Sequence, residues 1–120
     1  MRCLVRSVDR TFFDGDAEMI VARSARGEFA IMNGHAPLLA VLVDAPLRIK
    51  AEGDEAVFAC FGGTLRVGSK GGVEISVAEA VPVEEIDLVE VNRRLSRPEG
   101  DDDPDKERLS LLKRIKERYG

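Results

Sequence analysis

The sequence predicts a mainly β chain with an α-helical end: an antiparallel β-sandwich or barrel over residues 1–83, followed by a helix–turn–helix over residues 84–120. Before Val83 the chain consists of short runs rich in Val, Ile, Phe and Ala, separated by Gly, Asp, Asn and Pro. From Glu84 onward this punctuation stops, and apolar residues recur at helical spacing. The change of pattern divides the chain into two parts.

Alternation of apolar and polar residues supports the strands. Val73, Ile75 and Val77 are two positions apart, with Glu74 and Ser76 between them, as expected for a strand with one buried and one solvent-facing side. Eight or more short strands joined by tight turns are typical of a sandwich or barrel. The predicted strand segments are CLVRSV, AEMIVAR, EFAIM, PLLAVLV, PLRIKA, AVFACF, TLRVG and VEISVAEAV.

Glycines indicate the turns between these strands and one bend. DG at 14–15, EGD at 52–54 and GG at 71–72 are turn signals. GG at 62–63 lacks the Lys and the Ser or Thr of a phosphate-binding loop, and a strand follows it instead of a helix. We therefore expect a bulge or a tight bend between two strands there.

The first predicted helix lies in EEIDLVEVNRRLSR. Leu88, Val91 and Leu95 are three and four positions apart, and acidic residues occupy the first turn. The stretch RPEGDDDPD, which holds two prolines and a glycine among acids, predicts a solvated turn after it.

The second predicted helix, DKERLSLLKRIKERY, combines an apolar face with many basic residues. Leu109, Leu112 and Ile115 share one face, and Asp105 is placed to cap the N-terminus. A hairpin of roughly 37 residues buries too little apolar surface to be stable alone, so it must pack on the β-domain or a partner, or exchange between them. Its basic side chains fit either a solvated face or an arm that docks on an acidic partner. They are Lys106, Arg108, Lys113, Arg114, Lys116 and Arg118.

Composition excludes several classes of protein. A net charge of -4 and a pI of about 5.1 argue against a nucleic-acid binder, which carries a basic excess. No apolar run approaches the roughly 20 residues of a membrane-spanning helix. The N-terminus MRCLVRSVDR lacks the apolar core of a secretory signal. We therefore expect the chain to stay in the compartment where it is made.

Two cysteines and one histidine are the candidates for reactive groups. Cys3 and Cys60 each lie in an apolar, strand-like stretch, which favours reduced structural thiols, with a disulfide as the alternative. His35 has no nucleophile elbow, no metalloprotease-type helix and no second histidine to share a metal. We expect His35 to form a hydrogen bond or an interface contact, and an enzyme built on it is the weakest alternative.

The stretch GEFAIMNGHAPLLAVL resembles the Gly-Glu-x-Gly-Ile-x-x-Gly-His-Ala-Pro-Leu-Leu segment of F-type ATP synthase epsilon subunits. FFDGDAEMIVA resembles the opening strands of that family, FACFGGTLRV its strand, Gly-Gly, strand signature, and EEIDLVEV the start of its first C-terminal helix. The resemblance covers essentially the whole chain. It implies a ten-stranded antiparallel β-sandwich followed by a C-terminal two-helix hairpin.

The resemblance implies a non-catalytic subunit of the central rotor stalk, without cofactor or metal. In this family the sandwich binds the gamma subunit and the polar loops of the c-ring, and helps couple proton- or ion-driven rotation to ATP synthesis. The hairpin folds beside the sandwich or extends toward the alpha/beta catalytic head, where it restrains ATP hydrolysis. The absence of a transit-like extension favours a bacterial origin, with a mature organellar protein as the alternative. We therefore expect a peripheral location at the cytoplasmic face of the bacterial inner membrane.

Carried over by position, the resemblance assigns two groups of contact residues. Ala30 stands where the family usually has Gly, and Asn33 where Pro is common, so we expect the backbone of this segment to differ somewhat. The contact residues are Gly27, Glu28 and Met32 in a loop facing the c-ring, and His35, Ala36 and Pro37 in a segment facing gamma.

Some bacterial members bind ATP through Ile-Asp-x-x-Arg-Ala at the start of the first helix. Ile86 and Asp87 fit this motif, but Glu90 replaces the arginine, and its carboxylate repels a phosphate. Arg93 and Arg94 lie about one helical turn further on and are the substitute ligands. The alternative function is therefore a nucleotide sensor that holds ATP between hairpin and sandwich.

Overall fold

The computed structural model describes residues 1–98 and 102–120. The turn predicted from RPEGDDDPD includes residues 99–101, which lie outside the described residues. The elements are β1 (Arg2–Arg6), β2 (Thr11–Asp16), β3 (Met19–Ser24), β4 (Gly27–Met32), β5 (Leu38–Leu42), β6 (Ala45–Ala51), β7 (Asp54–Val67), β8 (Val73–Pro82), a 3₁₀-helix (Val83–Glu85), α1 (Leu88–Leu95) and α2 (Lys106–Tyr119).

The strands form one continuous sheet that folds into a sandwich, because β7 and β8 run through both layers. One layer has the order β2-β1-β8-β7-β5, and the other has β8-β7-β6-β3-β4. The predicted sandwich with a two-helix end is confirmed. The described residues form eight strands instead of ten, and the segments AVFACF and TLRVG, predicted as separate strands, are one continuous strand, β7. Within the described residues β1 pairs with β8 in parallel, whereas the other paired strands are antiparallel.

A bend at Gly62 and Gly63 lets β7 change layers. Both glycines have left-handed φ angles, 71° and 136°, which side chains rarely tolerate. The pairing of β7 with β8 keeps its register across the bend, from Phe61 opposite Glu79 to Gly63 opposite Val77. The predicted bend is therefore confirmed, but it lies inside one strand.

Two of the three predicted turns are also confirmed. Glu52 and Gly53 have positive φ angles at the turn between β6 and β7, and the 69–72 turn is closed by a hydrogen bond from Gly68 N–H to the Gly72 carbonyl. The turn predicted at 14–15 is wrong, since both residues lie within β2 and pair with β1.

The first half of β7 is buried on both faces. Phe58 and Cys60 point into the sandwich core, and Val57 and Ala59 point outward beneath the helices. Alternate side chains of a strand face opposite ways, so this strand contributes to two cores. The outer core, in which the predicted apolar face of α2 is buried, comprises Val57, Ala59, Ile86, Val91, Leu109, Leu111, Leu112 and Ile115.

The cysteines are in the predicted state, whereas the start of α2 differs from the prediction. Cys3 and Cys60 are free and buried, as predicted, and burial raises the pKa of each thiol to about 12. Asp105 precedes α2 but makes no capping hydrogen bond with its side chain. Its carboxylate instead accepts a hydrogen bond from Arg94 of α1 at 3.4 Å, so it links the two helices.

Candidate functional site

The residues predicted in a loop facing the c-ring lie on a strand. Gly27, Glu28 and Met32 belong to β4, which pairs with β3 and forms an edge of the sheet. The predicted loop is wrong because Phe29 and Ile31 alternate with exposed neighbours and turn inward, as in a half-buried strand. Glu28 and Met32 are exposed. A contact between these residues and a c-ring stays a prediction.

His35, Ala36 and Pro37 form an exposed connection between β4 and β5. The N–H of His35 donates to the Met32 carbonyl at 3.1 Å. Its ring Nδ1 lies 2.7 Å from the Ala36 carbonyl oxygen, and since a carbonyl only accepts, Nδ1 carries the proton. The predicted hydrogen bond of His35 is thus confirmed. His35 and Glu28 also line one open groove of about 300 Å³, although they are seven positions apart in the sequence.

Two exposed apolar residues escaped the sequence-based assignment. Leu39 and Val41 on the outer face of β5 are 69% and 70% exposed. On the neighbouring strand β7, Arg66 lies opposite Leu39 and Thr64 lies opposite Val41. The stretch PLLAVLV is apolar at every position but one, and such a run is typical of a strand covered on both faces. An uncovered outer face on such a strand indicates a surface for a partner.

The start and the end of α2 are attached to the sandwich by different groups. The guanidinium of Arg108 forms an ion pair with Glu79 and lies 5.0 Å from the ring centre of Phe61. Near the end of the helix, the ring of Tyr119 lies 5.3 Å from the guanidinium of Arg48. Between them, Lys116 Nζ donates to the Val83 carbonyl at 3.1 Å. The hairpin therefore lies docked beside the sandwich.

A cavity of about 330 Å³ lies between α2 and the sandwich. It brings together three guanidinium groups and two carboxylates, with apolar walls around them. Two of the predicted basic residues of the arm, Arg114 and Arg118, contribute to it. Its lining residues are Arg23, Glu28, Asp44, Ala45, Pro46, Leu111, Arg114, Ile115, Arg118 and Tyr119.

The four residues predicted to bind nucleotide lie away from this cavity. Ile86 is buried in the outer core, and Asp87 caps α1 by accepting from Glu90 N–H at 3.2 Å. Arg93 donates to Glu90 at 2.9 Å, a bond that lowers the pKa of the Glu90 carboxyl.

Arg94 is held in the same way by acidic residues of the chain. It donates to the carboxylate of Asp103 at 3.0 Å. The backbone N–H of Asp105 and this guanidinium together lower the pKa of Asp103. A nucleotide phosphate at Arg93 or Arg94 would have to displace these internal carboxylates.

Comparison with known proteins places the chain in a family. Residues 1–83 match the family described as ATP synthase, Delta/Epsilon chain, beta-sandwich domain. The ATP synthase epsilon chain of Streptomyces avermitilis is 34% identical over 104 residues, which cover 85% of this chain and 82% of that one. The epsilon chain of Brevibacillus brevis is 44% identical over 73 residues, 59% of this chain but only 55% of that relative.

The fold gives the same result. A chain in the cryo-EM structure of the Euglena gracilis mitochondrial ATP synthase, described as OSCP/F1/c-ring in rotational state 1, superposes with a TM-score of 0.68 at 25% identity, covering 98% of this chain and 77% of that one. In the described part of this chain, neither helix has the length and apolar character needed to cross a membrane. From the family match and the relative aligned over most of both lengths, the chain belongs to the ATP synthase epsilon family.

Proposed function

We propose that this chain acts as a non-catalytic central-stalk subunit that binds gamma and the c-ring, couples rotation to ATP synthesis, and restrains ATP hydrolysis through its hairpin. The observation that carries the proposal is a difference between two outer surfaces of the sandwich. The hairpin covers the outer face of β7, whereas the outer face of β5 is exposed. Membership of the epsilon family supports it, as does the likeness to a chain in an assembly of F1 and c-ring.

The sandwich supplies the fixed contacts in this proposal. Leu39 and Val41 give an exposed apolar strip of the kind that a stable partner covers, and we assign it, with His35, to gamma. Glu28 and Met32 on the edge strand β4 are assigned to the c-ring. The strands hold both surfaces on one rigid unit, so rotation of one partner is transmitted to the other.

The hairpin supplies the movable contact. Its apolar residues pack on the outward-facing side chains of β7, and its basic residues stand against Glu79, Asp44 and Glu28 of the sandwich. A hairpin held on one face of a domain can open as a local unit while the rest of the domain stays folded. An acidic surface of the alpha/beta head is a chemically equivalent partner for the same basic residues.

Removal of residues 98–120 should relieve the restraint on hydrolysis and leave assembly intact. The measurement is ATP hydrolysis by a reconstituted alpha/beta head with gamma, to which the whole chain or the chain ending before Pro98 is added. Both forms should co-purify with gamma, and only the whole chain should slow hydrolysis. Equal rates would show that the hairpin is only structural, and failure of the whole chain to bind gamma would contradict the stalk assignment.

The cavity beside Arg114 and Arg118 favours a nucleotide sensor as a second candidate function, although the chemistry differs from the sequence-based assignment at Ile86, Asp87, Arg93 and Arg94. Arginine side chains bind phosphates through paired hydrogen bonds. If the cavity binds ATP, calorimetry with millimolar ATP should show heat above dilution, and substitution of Arg114 and Arg118 by Gln should abolish it. Arg93→Gln is the matched control and should leave the heat unchanged. No heat with the unchanged chain would reject this candidate.

A further inference from the structure

We propose that Glu79, together with Phe61, is the latch that keeps the hairpin on the sandwich, and that it does so by occupying Arg108. While the hairpin is docked, Glu79 binds the guanidinium of Arg108. An acidic partner surface then has to compete with Glu79 for Arg108. The docking of the hairpin is a property of the chain itself. The competition with a partner rests on the proposed function.

The sheet places the two latch residues side by side. Phe61 on β7 and Glu79 on β8 are directly opposite each other in the antiparallel register, one residue before the bend at Gly62. Side chains of directly opposed residues lie on the same face of a sheet. One guanidinium can therefore contact both, and Arg108 does so through the ion pair with Glu79 and the contact with the Phe61 ring.

Arg108 has the right position to control release. It lies in the first turn of α2, directly before Leu109, which is buried in the outer core. The side chains of Arg108 and Glu79 keep 33% and 49% of their exposure, so water and dissolved ions reach the pair and screen it. This contact holds the start of α2 in place. Arg108 and Glu79 can still separate easily, because both side chains are already partly hydrated.

Charge gives the latch its selectivity. The apolar residues of α2 do not discriminate between surfaces by charge, whereas Arg108 favours a carboxylate or an aromatic face. A partner that offers an acidic surface supplies the first of these. In an extended hairpin Arg108 lies away from β8, so its contact with such a partner is linked to loss of the contact with Glu79.

Hydrogen exchange of the intact chain tests the latch without any partner. We expect the amides of α2 to exchange roughly fivefold faster in Arg108→Gln, which removes both the ion pair with Glu79 and the contact with Phe61. Glu79→Gln removes only the ion pair and should have a smaller effect. The double variant should be no faster than Arg108→Gln, since that variant already lacks the contact with Glu79. Amides of β3 and β6 should not change. Lys113→Gln, five residues along the same helix, also removes a positive charge from α2 and is the matched control.

Two results would overturn the latch: α2 exchange in the single variants equal to that of Lys113→Gln, or exchange in the double variant faster than in Arg108→Gln. The competition is tested in the reconstituted hydrolysis assay. There Glu79→Gln, which frees an intact Arg108, should slow hydrolysis more strongly than the unchanged chain does. An equal or weaker restraint would overturn the competition. If the unchanged chain itself fails to slow hydrolysis, the proposed function fails while the exchange result still decides the latch.

Discussion

Replacement of Gly63 by alanine should lower the free energy of unfolding by about 3 kcal/mol, the combined cost of backbone strain and overpacking. The φ angle of Gly63 is 136°, a region that residues with a side chain rarely adopt. A Cβ at this position would lie 2.4 Å from the Ser76 carbonyl oxygen and 2.9 Å from Val77 Cα. Both atoms belong to the backbone of β8, which is paired on both sides and cannot move aside.

Gly62 provides a matched control for this effect. Its φ angle of 71° is also positive, but a Cβ there would meet only Ala78 Cβ, at 3.9 Å. Gly62→Ala should therefore cost about 1 kcal/mol, the strain of the left-handed backbone alone. Urea unfolding followed by circular dichroism measures both values. Equal losses in the two variants would show that the close approach of β7 to β8 at Gly63 is not the cause.

The same bend shows what local sequence patterns can predict. The Gly-Gly pair correctly indicates an abrupt change of direction, and alternation correctly indicates the strands on either side. That these strands are one continuous element depends on β8, whose residues 73–82 pair with both halves. Pairing between distant segments has no local signal, and the parallel contact of β1 with β8, about 70 residues apart, was missed for the same reason.

The turn wrongly predicted at 14–15 has a related cause. Asp and Gly together favour a tight turn, but Asp14 instead receives a hydrogen bond from Arg2 of the neighbouring strand at 2.5 Å. Gly15 lies opposite the buried Cys3. Pairing with β1 thus outweighs the local preference, and the pair is held extended at the end of β2.

For the candidate surfaces, too, local patterns predict some features and the fold decides the others. The apolar face of α2 was predictable from helical spacing, because burial follows from that period wherever the helix docks. The position of docking was not predictable, because it depends on the outward-facing side of β7. Val57 and Ala59 there are no more apolar than their inward neighbours Phe58 and Cys60. The same ambiguity hid Leu39 and Val41, which look like core residues in the sequence and are exposed in the fold.

A charge placed on that strip should disrupt binding to gamma more than any other single surface change in the sandwich. We expect Val41→Asp to weaken the affinity for gamma by roughly 100-fold, because a carboxylate buried without a partner replaces an apolar contact at the centre of an interface. Leu39→Asp should weaken it less, because position 39 lies opposite Arg66, whose guanidinium can pair with the new carboxylate. Both positions are exposed in the free chain, so the free energy of unfolding should change by less than about 0.5 kcal/mol. Affinity is measured by calorimetry with purified gamma.

Val89→Asp is the control that separates a specific interface from general loss of apolar surface. Val89 is 80% exposed but lies on α1, away from β5, and its substitution should leave the affinity for gamma unchanged. If all three variants bind gamma as the unchanged chain does, gamma does not contact the outer face of β5. If all three weaken binding equally, the loss reflects charge on the chain and not the strip. Only a loss of affinity confined to the variants at Leu39 and Val41 shows that gamma contacts the outer face of β5, because these two side chains share one face of one strand.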